Sequence, residues 1–280
     1  MHVVCKSMCV SCEFLFSAAC HALYTMAYNN SSSMNSTSNL GNQIGSGVMS
    51  LCFALGIPGN IMTVVFILRH FKDNFSLHLM LNLAASDILC LMTLPVWIYY
   101  LLNGWIFGSA FCKVLFTLGT ISMNTSVFTV TLMSVQRYVV VLHRDHWAKL
   151  GRTGERALLL CVWVLACVLS IPSALTADTR EKESKLKCRR WSKSDEERLT
   201  ILLFKFLLGF VVPFSILVTS YCRLHTKVNK SVFFRKPRLT KLITRIMLAF
   251  FIFHFQCIFC FQWRSWHLPS NHFTSMSLRK

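Results

Sequence analysis

Residues 77–102 read LHLMLNLAASDILCLMTLPVWIYYLL. At about 1.5 Å of rise per residue, this run is long enough to cross the roughly 30 Å of hydrocarbon in a bilayer. It carries a single carboxylate, Asp87, inside the stretch Asn82-Leu83-Ala84-Ala85-Ser86-Asp87. In lipid such a run has to be helical, because only a helix satisfies its backbone hydrogen bonds from within. Residues 44–68, 113–142, 157–175, 199–224 and 239–261 form five further runs of the same character, joined by short polar segments without repeats.

The composition agrees. Of 280 residues, 54% are hydrophobic and only 14% charged, against roughly 25% charged in a soluble globular chain. Lys and Arg number 29 against 11 Asp and Glu, a formal charge of +18. That excess would fit a nucleic-acid binder, but it lies in short blocks between apolar runs, as in a multispanning membrane protein. No nucleic-acid partner is therefore expected. The thirteen cysteines are scattered, several within apolar runs where a thiol acts as a small hydrophobe. Disorder, collagen and small disulfide scaffolds are excluded by the apolar content and the lack of a Gly period. The fold class is an all-α membrane bundle with six recognisable spans.

Basic residues set the expected orientation. Arg69 and Lys72 occupy the first connection, Arg144, Lys149, Arg152 and Arg156 the third, and Arg223, Lys227, Lys230, Arg235, Lys236, Arg238 and Lys241 the fifth. These face the cytoplasm, leaving the N-terminus outside a multi-pass protein of the plasma membrane. The sequons at Asn29, Asn30 and Asn35 fall on that outer side. Similar triplets at Asn74, Asn124 and Asn229 lie in the membrane or the cytosol by the same topology. Residues 1–43 are expected to be an extracellular segment. Within it, residues 1–33 read either as a poorly formed signal peptide or as a gene-model extension ahead of Met34.

The polar marks inside the spans are the functional candidates, since ionisable groups are costly there. Besides Asp87 they are Gly59-Asn60 in the first run, Trp163 in the fourth, and Pro213 with Tyr221 in the fifth. Cys112 opens the third run and Arg137 closes it. In this joint order the chain resembles a rhodopsin-like (class A) G-protein-coupled receptor over residues 44–253. Leu55-Gly56-Ile57-Pro58-Gly59-Asn60, Ser122-Met123 with Ser126-Val127, and Met133-Ser134-Val135-Gln136-Arg137 are similar to the chemoattractant branch. Leukotriene B4 receptors are the closest likeness, with formyl-peptide-like and chemokine-like receptors as alternatives.

The resemblance implies roles for named residues. Asp87, Ser126 and Asn60 correspond to a sodium pocket of hard oxygen ligands. The alternative is a carboxylate hydrogen-bonded between helices, and no other cofactor is expected. Cys112 and Cys188 correspond to the disulfide between the third helix and the second extracellular loop. Gln136, Arg137, Tyr138 and Tyr221 correspond to the surface that couples to a heterotrimeric G protein, by resemblance of the inhibitory class. Gln136 stands where the family usually has an acid, which predicts a weaker resting lock and raised basal signalling. Arg137 could instead snorkel to lipid headgroups. Arg144 stands where many relatives have a proline.

Lys205, eight residues before Pro213, is an ammonium in the outer half of the fifth run. With Arg189 and Arg190 it would suit an anionic ligand, a carboxylated lipid or an acidic peptide terminus. Snorkelling of Lys205 to solvent is the alternative. Trp97, Tyr99, Tyr100, Trp105 and Phe107 read equally as membrane-belt, packing or ligand-contact residues. Cys257-x-x-Cys260 and the Cys5, Cys9, Cys12 group have apolar or irregular flanks and are not expected to hold zinc.

From His254 the pattern breaks. His254-Phe255-Gln256 stands where relatives read Trp-x-Pro, and the 19 residues after Phe261 cannot make another span. Residues 254–280 are therefore expected to be an aberrant end of the sixth helix and tail, with the seventh span missing and signalling by this chain alone in doubt. Two other readings stand beside a receptor: a six-span transporter, and a non-signalling partner of a full-length receptor. Enzyme motifs such as Gly-x-Ser-x-Gly and His-Glu-x-x-His are lacking.

Overall fold

The computed structural model describes residues 36–69, 74–182, 185–191 and 194–230. Five long helical spans lie there: Asn42–Arg69, Phe75–Asn103, Gly108–Leu142, Lys149–Thr176 and Glu196–Leu224. Each contains the apolar run expected of it or overruns it by a few residues. The helix continues past the last apolar residue because its backbone bonds do not depend on lipid contact. The sixth run, the break at His254, the Cys257 and Cys5 groups, Asn29, Asn30 and Asn35 all lie outside the described residues.

The first helix, α1 (Ser36–Arg69), opens ahead of Ile44, so residues 36–43 are already helical. It carries Pro58 in its interior. Around that proline the Asn60 amide donates to the Gly56 carbonyl at 3.0 Å, and Thr63 Oγ1 donates to the Gly59 carbonyl at 3.0 Å. Such side-chain bonds help a proline-bearing helix persist in lipid.

The second span is two helices. Asn74 caps α2 (Phe75–Leu91) by accepting from the Ser76 N–H at 3.0 Å. At Met92-Thr93 the helix loosens, Thr93 Oγ1 donates to the Cys90 carbonyl, and α3 (Leu94–Asn103) begins with a proline in its first turn. A tight corner follows, made possible by Gly104 and Gly108 at φ of 88° and 78°. Trp105 between them is 3% exposed and donates its indole N–H to the Gly108 carbonyl.

The central helix α4 (Gly108–Leu142) packs against the second, fourth and fifth spans. Helix α5 (Arg144–Thr176) contains a break at Gly151, φ 61°, which separates a short helix from the fourth span. Strands β1 (Ala177–Lys182) and β2 (Lys185–Arg190) form an antiparallel hairpin, with Thr179 opposite Cys188. The fifth span joins α6 (Asp195–Phe206), one π-helical turn (Leu207–Val211) and α7 (Val212–Lys230).

Leu160, Val164 and Leu175 on the fourth span are highly exposed, facing what would be lipid. Polar side chains such as Asn60, Ser86, Thr129 and Ser170 are buried between helices. This distribution is that of a membrane bundle, where small and polar residues mediate helix contact.

Candidate functional site

Polar groups gather at three levels along the central helix. At the hairpin end, Cys112 and Cys188 form a disulfide with a Cα–Cα distance of 5.8 Å, and both are buried. Trp105 and Leu115 pack around the bridge. Trp97 meets Phe116 edge-on, with ring centroids 5.0 Å apart. Trp105 is therefore a packing residue under the hairpin, whereas Tyr99 and Phe107 remain exposed.

Strand alternation separates the two arginines expected near the ligand. Arg190 shares the face of Cys188, is paired in register with buried Ala177, and holds its guanidinium over the Phe116 ring at 5.9 Å. Burial lowers its pKa to about 10. Arg189 occupies the opposite face, across from Asp178. Asp178 itself accepts from Ser109 Oγ and from the Thr179 N–H at 2.8 Å. The Ser109 bond, then the Thr179 bond, hold its carboxyl below the usual range.

Lys205 Nζ donates to Ser173 Oγ on the fourth span at 2.5 Å, and Thr120 Oγ1 on the central helix donates to the same oxygen at 3.0 Å. Three helices thus meet at one hydroxyl, with the Arg190 charge near enough to act on the ammonium. The Lys205 ammonium thus bonds a neutral hydroxyl. Neither Ser173 nor Thr120 stood out in the sequence, because a serine or threonine inside an apolar run reads as an ordinary helix-contact residue.

At mid-depth, Ser126 Oγ donates to Asp87 Oδ1 at 2.9 Å, and Ser126 also shares a 2.9 Å bond with Ser86. Asp87 is 8% exposed and Asn60 1%. The structure brings Asp87 and Ser126 together and adds Ser86, which lies one residue before Asp87. Asn60 is buried in the first span with its amide on the Gly56 carbonyl. A carboxylate and two hydroxyls are hard oxygen donors, chemistry that fits a small monovalent cation. Beside them, Trp163 Nε1 donates to Asn82 Oδ1 at 2.8 Å and Asn82 Nδ2 to Thr129 Oγ1 at 2.7 Å. These two bonds tie the second, third and fourth spans together.

At the far end Gln136 does not turn to its neighbour Arg137. Ser76 Oγ sits astride the Gln136 amide, donating to Oε1 at 3.0 Å and accepting from Nε2 at 2.9 Å. Gln136 is 6% exposed. Phe75, next to Ser76 and also buried, lies 5.4 Å from the Trp147 ring, which belongs to the short helix before Gly151. Arg137 is half-buried, and no hydrogen bond or ion pair holds it among the described residues. Tyr138 meets His143 edge-on, and Tyr221 on the fifth span is half-buried.

Five apolar spans, a disulfide from the head of the third to the following loop, a buried carboxylate in the second and an arginine closing the third are now in place. A family profile described as the 7 transmembrane receptor (rhodopsin family) matches residues 59–278. The chain belongs to this family. The match covers most of the chain and runs past His254, beyond the reach of the motif resemblance. The family is one of membrane receptors that act in signalling through an extracellular ligand and a G protein, and it is not enzymatic. A six-span transporter is thereby set aside.

Proposed function

We propose that this rhodopsin-like receptor detects an extracellular chemoattractant with an anionic head, a carboxylated lipid such as leukotriene B4. In this reading the N-terminus is outside, consistent with a disulfide at the hairpin end, since disulfides persist in oxidising compartments. Lys205 and Arg190 hold the carboxylate, and Phe116 with Trp97 packs against the lipid tail. Arg189, on the outer strand face, guides approach by charge and does not touch the bound head.

The observation that carries the reading is the Lys205 ammonium bonded to Ser173 between three helices. An ammonium there needs an anion to offset its loss of water. A peptide chemoattractant with a free terminal carboxylate would use the same pair of cations, and is the alternative. The test is leukotriene B4 binding to the full chain carrying Lys205→Ala or Lys205→Arg. Loss of a charge-assisted bond is expected to weaken binding about tenfold to a hundredfold, with Lys205→Arg retaining most of the affinity. Unchanged affinity in Lys205→Ala removes the anionic-ligand reading.

For coupling, Arg137 with Tyr138 and Tyr221 receives a G protein of the inhibitory class. Asp87, Ser126, Ser86 and Asn60 would hold a sodium ion, whose charge would oppose that of Asp87. Gln136 bonds Ser76 and leaves Arg137 without a carboxylate partner, which supports raised basal signalling.

A further inference from the structure

The polar contacts around Lys205 continue for one more helical turn. Thr120 and Ser173 make the rung that holds the ammonium. Four residues further along the central helix, Asn124 Nδ2 donates to Ser170 Oγ at 3.3 Å, and Ser170 lies three residues before Ser173 on the fourth span. On the fifth span Gly209 lies four residues after Lys205. The steps on all three helices lead the same way, away from the hairpin, by roughly 6 Å.

The proton of Ser170 orients this second rung. Its hydroxyl donates to the Ala166 carbonyl at 2.7 Å, so its oxygen is left to accept. That requires the Asn124 amide nitrogen on Ser170 and turns Oδ1 away from it. Oδ1 faces Gly209, which is buried in the π turn. A Cβ built on Gly209 lies 3.9 Å from Oδ1 and, apart from its chain neighbours and its own helix backbone, meets no other atom within 4 Å among the described residues. Among those residues Oδ1 accepts no hydrogen bond. An amide oxygen inside an apolar bundle is costly to leave without a donor. The notch between Gly209 and Asn124 thus joins room for a small group to an acceptor that calls for a proton donor.

We propose that this notch reads a hydroxyl of the ligand, so that the receptor selects a carboxylated lipid bearing a hydroxyl roughly 6 Å from its carboxylate. The hydroxyl donates to Asn124 Oδ1 beside Gly209. The inference rests on the anionic-ligand reading above, with the carboxylate on Lys205, and adds a second point that fixes how the lipid chain lies. A plain fatty acid satisfies the ammonium but strands the amide oxygen, and a site built to hydrogen-bond a hydroxyl rejects the analogue that lacks it.

The test measures binding of two probes to the full chain in nanodiscs: leukotriene B4, and its analogue lacking the hydroxyl nearest the carboxylate. The unaltered chain should prefer the hydroxylated acid about tenfold. Gly209→Ala sets a methyl in the notch at ordinary contact distance from Oδ1 and favours helix, so the fold should hold. A mass measurement of the Cys112–Cys188 bridge checks this. In that variant the preference should vanish through weaker binding of the hydroxylated acid alone. Asn124→Ala, which leaves the Ser170 hydroxyl on Ala166, should erase it as well. Equal loss for both acids in Gly209→Ala, or a preference that survives either variant, overturns the proposal. Lys205→Ala should weaken both acids alike. If it does so while Gly209→Ala keeps the preference, this inference alone fails. No effect of Lys205→Ala, or no binding of either acid, defeats the anionic-ligand reading and this inference with it.

Discussion

The Gln136–Ser76 contact allows a quantitative test of what holds the Arg137 end of the third span. Ser76→Ala deletes a hydroxyl that both donates to Oε1 and accepts from Nε2 of Gln136. The amide is 6% exposed, so it is left with two polar atoms facing little water. Leaving a buried polar group unpaired costs about 1–3 kcal/mol. Gln136→Leu removes the amide instead and leaves only the hydroxyl, which can turn to a helix carbonyl, at about 1 kcal/mol. With both changes made, neither group is stranded, and the double variant should be no less stable than Ser76→Ala alone. The expected coupling is thus about 1–2 kcal/mol. SDS-driven unfolding of the full chain in mixed micelles, run as a double-mutant cycle, measures it. Single effects that add within about 0.5 kcal/mol would mean that the contact does not hold the helices together. Gln136→Glu supplies the functional counterpart: the new carboxylate can keep the Ser76 hydroxyl and also attract Arg137, so basal G-protein activation should fall. A basal level that rises instead would refute the argument that the missing acid loosens the resting state.

Asp87→Asn keeps the Ser126 bond and removes the charge, so sodium should no longer shift agonist affinity; retained sensitivity would place the cation elsewhere. Asp178 has a folded pKa below its ordinary value of 3.8, so its contribution to hairpin docking is complete above that value and lost as pH falls through the lowered one. The protection of the hairpin amides, taken relative to their intrinsic exchange at each pH, should therefore be flat down to about pH 4 and fall below it, and Ser109→Ala should move the fall to higher pH. Trp105→Ala empties a buried site against the disulfide and loses the bond to Gly108, at about 3–5 kcal/mol, read as a lower melting temperature than for Tyr99→Ala.

The spans were legible because the bilayer imposes a length and an apolar content that a sequence cannot hide, and Asp87 and Arg137 were legible because charge is scarce there. The hairpin was not. Residues 177–190 are mostly polar and carry opposed like charges that argue against pairing; the strands are held by the disulfide and by the Trp191 N–H bond to the Thr176 carbonyl. The partners Ser76, Ser86, Ser173 and Thr120 were equally hidden. A hydroxyl in an apolar run is common, and only the packing of two helices says which one meets a lysine or an amide. Arg189 and Arg190 looked equivalent as neighbours in sequence, and only the strand pleat separates them.

The direction of Lys205 depends on a local irregularity. In a regular helix eight residues turn through two revolutions and about 80° more, so Lys205 would stand well off the face of buried Pro213. The π turn at Leu207–Val211, where the Val212 N–H reaches the Leu207 carbonyl, inserts one residue's worth of chain. Eight residues then advance as seven, ending within about 20° of the starting face. The bulge thus returns Lys205 to the side of the helix that meets Ser173. Deleting Leu208 removes the extra residue, so the seven that remain span the same angle in a regular helix and Lys205 should keep its side. Deleting Leu207 as well should swing the ammonium away by about 100° and abolish anionic-ligand binding as fully as Lys205→Ala, while the Cys112–Cys188 bridge still forms. Binding that survived the double deletion, or that was lost on deleting Leu208 alone, would refute this placement of Lys205.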